Sequence, residues 1–186
     1  MQRMKGRPHD AGDRQPKELQ VYDLLDSLNI AYERIDHAPA DTMELCREID
    51  ISLGAMICKN LFLCNRQKTR FYLLMIPADK PFHTRDLSPR IGCSRLSFAE
   101  PAAMERYLDT LPGSASVLGL MNDREHAVQL VIDKPVLESE WFGCHPCVNT
   151  SSLRLRTRDL LDIILPALGH EPIVVDLPED GESPIV

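Results

Sequence analysis

Aromatic residues are scarce in this sequence: 5% of 186 positions, with a single Trp. Its core must therefore be built mostly from aliphatic side chains. Long apolar runs are absent as well. Phe71–Pro77 and residues 163–168 are the longest, far below the roughly 20 residues that span a bilayer as a helix. The opening stretch MQRMKGRPHDAGDRQPK has no apolar centre and does not read as a secretory signal. Internal repeats are missing, and so are the G-x-S-x-G elbow, the Walker loop, H-E-x-x-H and the dinucleotide fingerprint. These absences exclude secreted, membrane and fibrous classes, and a cytoplasmic protein without a membrane partner is expected. What remains is an ordinary globular composition, 44% hydrophobic and 26% charged, at a length suited to one domain.

Charge is unevenly spread around a net −7. Residues 1–17 carry five basic and two acidic groups, and residues 176–186 carry four acidic groups and no basic one. Between Lys59 and Arg95 lie eight basic side chains against Asp79 and Asp86. A local basic patch of this kind permits an RNA partner, although a solvated sheet edge produces the same pattern. The domain is expected over residues 17–175, with a disordered basic tail before it (1–16) and an acidic tail after it (176–186).

Six cysteines are present, and Cys144-His-Pro-Cys147 has the spacing of a redox pair or half a zinc site. A structural zinc site wants a second close pair of ligands, and a thioredoxin-type motif opens a helix. Val148-Asn-Thr-Ser-Ser shows no helical pattern. The cysteines read as reduced and structural, and no metal or cofactor is expected.

Periodicity outlines the elements. Pro16 suits the first turn of a helix carrying Leu19, Tyr22, Leu25 and Leu28, with Asn29 as its stop. Residues 32–36 read as a short strand. Asp41 or Thr42 caps a second helix with Met43, Cys46 and Ile49 inward, closed by Gly54. Residues 55–65 form a buried strand, paired through a polar turn with 70–76. Short helices are expected over 84–91, with Thr84 as cap, and over 101–108. Residues 112–119 form a small-residue loop. Residues 127–133 and 151–156 read as strands, and Thr157 caps a last helix reaching 168 before Gly169. Strands interleaved with helices, with at least one hairpin, indicate α+β with a mixed sheet.

Lys59 is the most informative residue. It shares strand parity with Ile57, Leu61 and Leu63, so its ammonium leaves an otherwise apolar face. It either reaches a cleft and meets an anion or snorkels at an edge, and the strand pattern leaves both open. Asn60 points the other way. His145, in a loop bounded by Gly143 and followed by Asn149, has the chemistry of a base or a hydrogen-bond donor, and equally suits a surface position. The small residues of 113–119 let backbone N–H groups approach a ligand closely.

Four segments occur in an order that resembles one family: Lys59-Asn-Leu-Phe-Leu; Ser94-Arg-Leu-Ser-Phe-Ala; Pro112-Gly-Ser-Ala-Ser with Gly119-Leu and Asn122-Asp; and His145-Pro with Asn149-Thr. The chain is similar, over about residues 17–175, to the YbaK/prolyl-tRNA-synthetase-associated editing domain, specifically the free-standing ProXp-ala (PrdX) type. The resemblance implies a strongly curved, barrel-like mixed sheet wrapped by helices. It implies a trans-editing deacylase that hydrolyses alanine from mischarged tRNA(Pro), with water activated by the substrate's own ribose hydroxyl. Lys59 would meet the phosphate of the terminal adenosine, and Asn60 would shape the site. Gly143, His145 and Pro146 would form the loop near the aminoacyl group, with Asn149 beside it, and Gly113, Ser114 and Ser116 another wall. The implied partners are the alanine-charged acceptor end of tRNA(Pro) and prolyl-tRNA synthetase, approached by a monomer. A deacylase for serine or cysteine, or a catalytically silent RNA- or synthetase-binding module, are the alternatives. Val117 stands where the family often has proline, and Cys144 where an aromatic is common; His37-Ala-Pro and Asp41-Thr42 match its entrance loosely.

Overall fold

The computed structural model describes residues 1–40 and 42–179. Strands and helices alternate in the order β1 (Met4–Lys5), α1 (Pro16–Ser27), β2 (Glu33–Asp36), α2 (Met43–Leu53), β3 (Met56–Asn65), β4 (Phe71–Pro77) and α3 (Thr84–Leu87). A 3-10 turn (Ser88–Ile91), β5 (Leu96–Phe98), α4 (Pro101–Leu108) and a second 3-10 turn (Val117–Asn122) follow. The chain continues through β6 (Val128–Asp133), α5 (Lys134–Glu138), β7 (Trp141–Cys144) and β8 (Ser151–Arg156). Helical turns α6 (Thr157–Asp159) and α7 (Leu165–Leu168) flank a π-helical stretch (Leu160–Ile164), and β9 (Ile173–Val175) ends the order.

The strands form one mixed sheet in the order β1-β2-β8-β7-β3-β4-β6-β9, with β5 added to β3. This is the α+β class expected from the sequence. β4 lies between antiparallel β3 and parallel β6 and is buried along its whole length. Its two faces feed two cores, which is why its sequence reads as a continuous apolar run. Phe71, Leu73 and Met75 join Cys58, Phe62 and Leu130 under α1, α4 and the π-helical stretch. Tyr72, Leu74 and Ile76 join Leu63, Val131, Leu87 and Leu96 on the other side.

Several boundaries differ from the sequence expectation for local reasons. Thr42 caps α2 through Leu45 N, while Asp41, the other expected cap, lies outside the described residues. Ile49 and Leu53 are buried, but Cys46 is exposed rather than inward. The helix expected over 84–91 divides at Ser88 into an α turn and a 3-10 turn, because Pro89 has no N–H to continue the ladder. Thr84 and Thr157 each stand one residue inside their helices, whose caps are His83 and Arg156. The loop expected over 112–119 ends at Ser116, whose hydroxyl accepts from Leu118 N and starts the 3-10 turn. The short strands β1, β5, β7 and β9 and helix α5 were not legible as periodic segments.

The first 16 residues place β1 on β2, and Arg3 pairs with Glu33, Arg7 with Asp23 and Arg14 with Asp36. Of the expected acidic tail, residues 180–186 lie outside the described residues. No helix among the described residues is long and apolar enough to cross a membrane.

Candidate active site

The site opens where β3 changes partners. On one edge β3 pairs continuously with β4. On the other, Met56 and Ile57 pair with β7, and Leu63–Asn65 pair with β5. Phe62 O still accepts from Ala99 N on that second edge. Between the two partners, residues 58–61 face a gap. Backbone groups alternate along a strand, so Cys58 and Asn60 direct theirs to the same side as Phe62; the Ile57–Gly143 register gives the Cys58 N–H to Gly143 O, and the Asn60 N–H is left facing the gap.

A cavity of about 290 Å³ fills the gap. Ile57, Cys58, Lys59 and Asn60 line it from β3, and Gly143, Cys144 and His145 from β7 and the loop beyond. Cys46, Ile49 and Asp50 close it from α2, Gly113 and Ala115 from the small-residue loop, and Ser152 from β8.

Lys59 reaches this cavity. Its ammonium donates to the carbonyl of Ala78 at 3.3 Å and to that of Lys80, both in the turn after β4. Two of its three protons are thereby directed, which orients the third. Burial lowers its pKa from the ordinary lysine value, and the Asp79 carboxylate opposes that shift. The buried Asn60 Oδ1 has no protein partner, while Nδ2 lies 3.5 Å from Cys58 O.

His145 hydrogen-bonds through Nδ1 to Ser151 O at 2.9 Å. A carbonyl can only accept, so Nδ1 carries the proton and Nε2 the lone pair of the neutral ring. Burial pulls its pKa below the ordinary histidine value; the Ser151 carbonyl opposes that and His37 adds to it. His37 Nε2 lies 2.9 Å from Ser152 Oγ, which is itself 3.5 Å from His145 Nδ1. Asp50 is pushed above the usual carboxylate range by burial and by Asp79.

Packing at Gly143 is tight. A Cβ there would stand 2.3 Å from Ile57 Cδ1 and 2.8 Å from Leu53 Cδ2. Gly113, at φ +88°, turns the loop in a conformation that glycine adopts without strain.

Of the residues expected at the site, Lys59, Asn60, His145, Gly113 and Gly143 line one cavity. Ser114, Ser116, Pro146 and Asn149 do not. Ser114 Oγ closes the turn onto Leu111, and Ser116 caps its 3-10 turn and touches the Cys144 thiol from behind. Asn149 O accepts from Ala40 N and ties the two loops at the cavity mouth together. Sequence reasoning missed Ile49, Asp50 and Ser152, whose spacing signals only a helix face and a strand. Cys144 and Cys147 are both buried, as are Val117 and Pro146. The basic segment is less uniform than its composition: Lys80 is buried against Asp133, and Lys68 pairs with Glu100.

A family model for the aminoacyl-tRNA editing domain matches residues 37–163, which contain every wall of this cavity. The chain belongs to the aminoacyl-tRNA editing domain family. It is 34% identical over 140 residues to the prolyl-tRNA editing protein ProX of Acetoanaerobium sticklandii, covering 75% of this chain and 85% of that one. It is 31% identical over 156 residues to the mouse prolyl-tRNA synthetase associated domain-containing protein 1, covering 82% and 91%. A solved structure described as a candidate trans-editing enzyme for prolyl tRNA synthetase superposes with a TM-score of 0.66 at 14% identity, over 89% of this chain and 98% of that one. At that identity the likeness is one of fold. The family read from the four ordered segments is therefore the family shown.

Proposed function

We propose that this chain is a trans-editing deacylase that hydrolyses the ester of alanine on mischarged tRNA(Pro), of the ProXp-ala type. The observation that carries the reading is the seated ammonium of Lys59 at a small cavity whose walls are largely apolar. An ammonium whose other protons are already directed is suited to a single anionic contact, the phosphate of the terminal adenosine. The aminoacyl group then enters between Gly143, Ile57 and Ala115.

Water attacks the ester carbonyl carbon, and the bond to the ribose oxygen breaks. The water's proton passes to the leaving ribose oxygen with the help of the neighbouring ribose hydroxyl, giving alanine and free tRNA. The backbone N–H of Asn60 on the open edge of β3 faces the developing oxyanion. His145, neutral and fixed by Ser151, accepts a hydrogen bond from the bound aminoacyl end. The protein thus supplies position and polarity rather than a general base. Alanine fits this space, and the extra ring carbons of proline are refused by contact, a discrimination of about 1–3 kcal/mol per methylene. The chain acts in the cytoplasm as a monomer on the RNA that the synthetase releases.

The test is hydrolysis of tRNA(Pro) charged separately with alanine, serine, cysteine and proline. Release of alanine alone, lost in Lys59→Ala, supports the reading. Faster release of serine or cysteine reassigns the substrate. Salt-sensitive RNA binding with no ester cleaved faster than in buffer makes the chain a binding module.

A further inference from the structure

Among the described Phe, Tyr and Trp residues, Phe98 is the one exposed ring, at 61%, in a chain with few aromatics to spare. It stands on β5, the short strand added to the open edge of β3. Its ring meets Phe82 edge-on, centroids 6.4 Å apart, and the two rings with Arg85 and His83 border a shallow depression. Arg85 is exposed and pairs with Asp86 at 3.8 Å, and Arg95 lies exposed just before β5.

The position of this pair relative to Lys59 is fixed by register. Phe98 lies opposite Leu63, so both side chains stand on the same face of the sheet. Lys59 and Leu61 share that face by the two-residue period. Phe98 is therefore about 13 Å from Lys59 along one face of one strand. Phe82 follows closely on the turn whose carbonyls seat the Lys59 ammonium, and Phe82 and Leu61 pack against the same core. An ammonium and an aromatic pair thus lie on one face of the sheet, with Arg85 bordering the same depression as the rings.

We propose that Phe82 and Phe98, with Arg85, form a stacking platform for the unpaired bases that precede the terminal adenosine of the RNA. The inference rests on the reading that Lys59 holds the terminal phosphate. A single strand leaving that point along β3 places its next bases on the two rings and its phosphates beside Arg85. Stacking of this kind tolerates any base, because every base presents a π-face. It holds the strand without reading its sequence and leaves base recognition to other contacts.

The test separates this proposal from the deacylase reading by using uncharged RNA. Two hairpins of the acceptor stem are compared, one with its single-stranded 3′ overhang and one blunt, with a fluorescent purine analogue in the overhang. The wild type is expected to prefer the tailed RNA and to quench the analogue. Phe98→Ala should weaken tailed-RNA binding roughly ten-fold and abolish the quench, while leaving blunt binding and the melting temperature unchanged. Phe98→Trp should retain both signals, and Arg158→Ala, a charge lost on α6, should change neither. If Phe98→Ala and Phe82→Leu bind and quench like the wild type, or the wild type shows no preference for the overhang, the platform is overturned, whatever the ester assay gives. If the preference depends on Phe98 while no charged tRNA is cleaved, the platform stands and the deacylase reading falls.

Discussion

Lys80 and Asp133 form a buried ion pair, Nζ to Oδ2 at 2.8 Å, directly beneath the turn that seats the Lys59 ammonium. The other Asp133 oxygen accepts from Leu177 N at 2.9 Å. One carboxylate thus ties the end of β6 to the chain after β9 and to the residue whose carbonyl orients Lys59. Removing Asp133 leaves the buried Lys80 ammonium with only the exposed Glu179 carboxylate at 3.7 Å, so Asp133→Ala is expected to cost about 3–5 kcal/mol by urea denaturation. The double change Lys80→Met/Asp133→Leu should recover much of that loss, since no charge is then stranded. A loss below about 1 kcal/mol for the single variant would show that the pair is not a fixed part of the native state.

Lys59 itself should separate binding chemistry from folding. Its ammonium is half in water, and its removal frees two carbonyls that water can reach. Lys59→Met should therefore stay folded by circular dichroism while ester hydrolysis falls about 10- to 100-fold, the worth of one charge-assisted hydrogen bond. Lys59→Arg is expected to rescue little, because a planar guanidinium cannot occupy the seat formed by Ala78 O and Lys80 O. Full activity in the methionine variant would remove Lys59 from the mechanism.

Gly143 offers a prediction with an internal rescue. The Cβ of Gly143→Ala would collide with Ile57 Cδ1 and Leu53 Cδ2, and Ile57 yields by turning into the cavity. Overpacking of this kind costs about 1–3 kcal/mol, and here it also takes room from the substrate. Ile57→Val deletes the methyl of the closer collision, so the double variant should regain part of the stability and activity together, with the Leu53 contact remaining. Additive losses in a double-mutant cycle would mean that the two residues do not meet.

His145 ties stability to pH. Its folded pKa lies below the ordinary value of 6.5 because burial disfavours the charged ring. Between that lowered value and 6.5 the unfolded chain binds more protons than the folded one, so stability rises with pH through this window and falls as acid is added. His170, buried beside Asp123, is shifted the same way and contributes a second slope. A proton-resolved titration should place the His145 midpoint below 6.5, and His145→Gln should flatten part of the acid-side decline. A midpoint at or above 6.5 would contradict the burial argument.

How much of this was legible beforehand depended on sequence separation. β3 with β4, α4 and the alternation of β8 announce themselves within a few residues, and Lys59 stands out because a charge interrupts an apolar run. Five cavity residues follow from that and from the ordered motifs. Lys80 was counted as part of a basic patch, since nothing local reveals Asp133, 53 residues further on. Ser114 and Ser116 looked like ligand contacts because small polar residues suit a binding loop, but their hydroxyls close turns. Ile49 and Asp50 were invisible as cavity walls, because a helix face toward a cavity carries the same periodicity as one toward a core.

The cysteines provide the last test, and it bears on the Cys144–Cys147 spacing. Cys46 is exposed at the cavity mouth, whereas Cys58, Cys144 and Cys147 are buried. Burial pushes the thiols of Cys58 and Cys147 up to about 12, and that of Cys144 also well above its ordinary value. Alkylation requires the thiolate, so at pH 8 iodoacetamide should modify Cys46 long before these three, which should react only as the protein unfolds. A Cys46→Ser variant should lose this early adduct by mass spectrometry. Because Cys46 opens onto the cavity, a bound aminoacyl end or a non-hydrolysable analogue should also slow its modification. Rapid reaction at Cys144 or Cys147 in the folded protein would reverse the assignment and return the C-x-x-C pair to consideration as a redox centre.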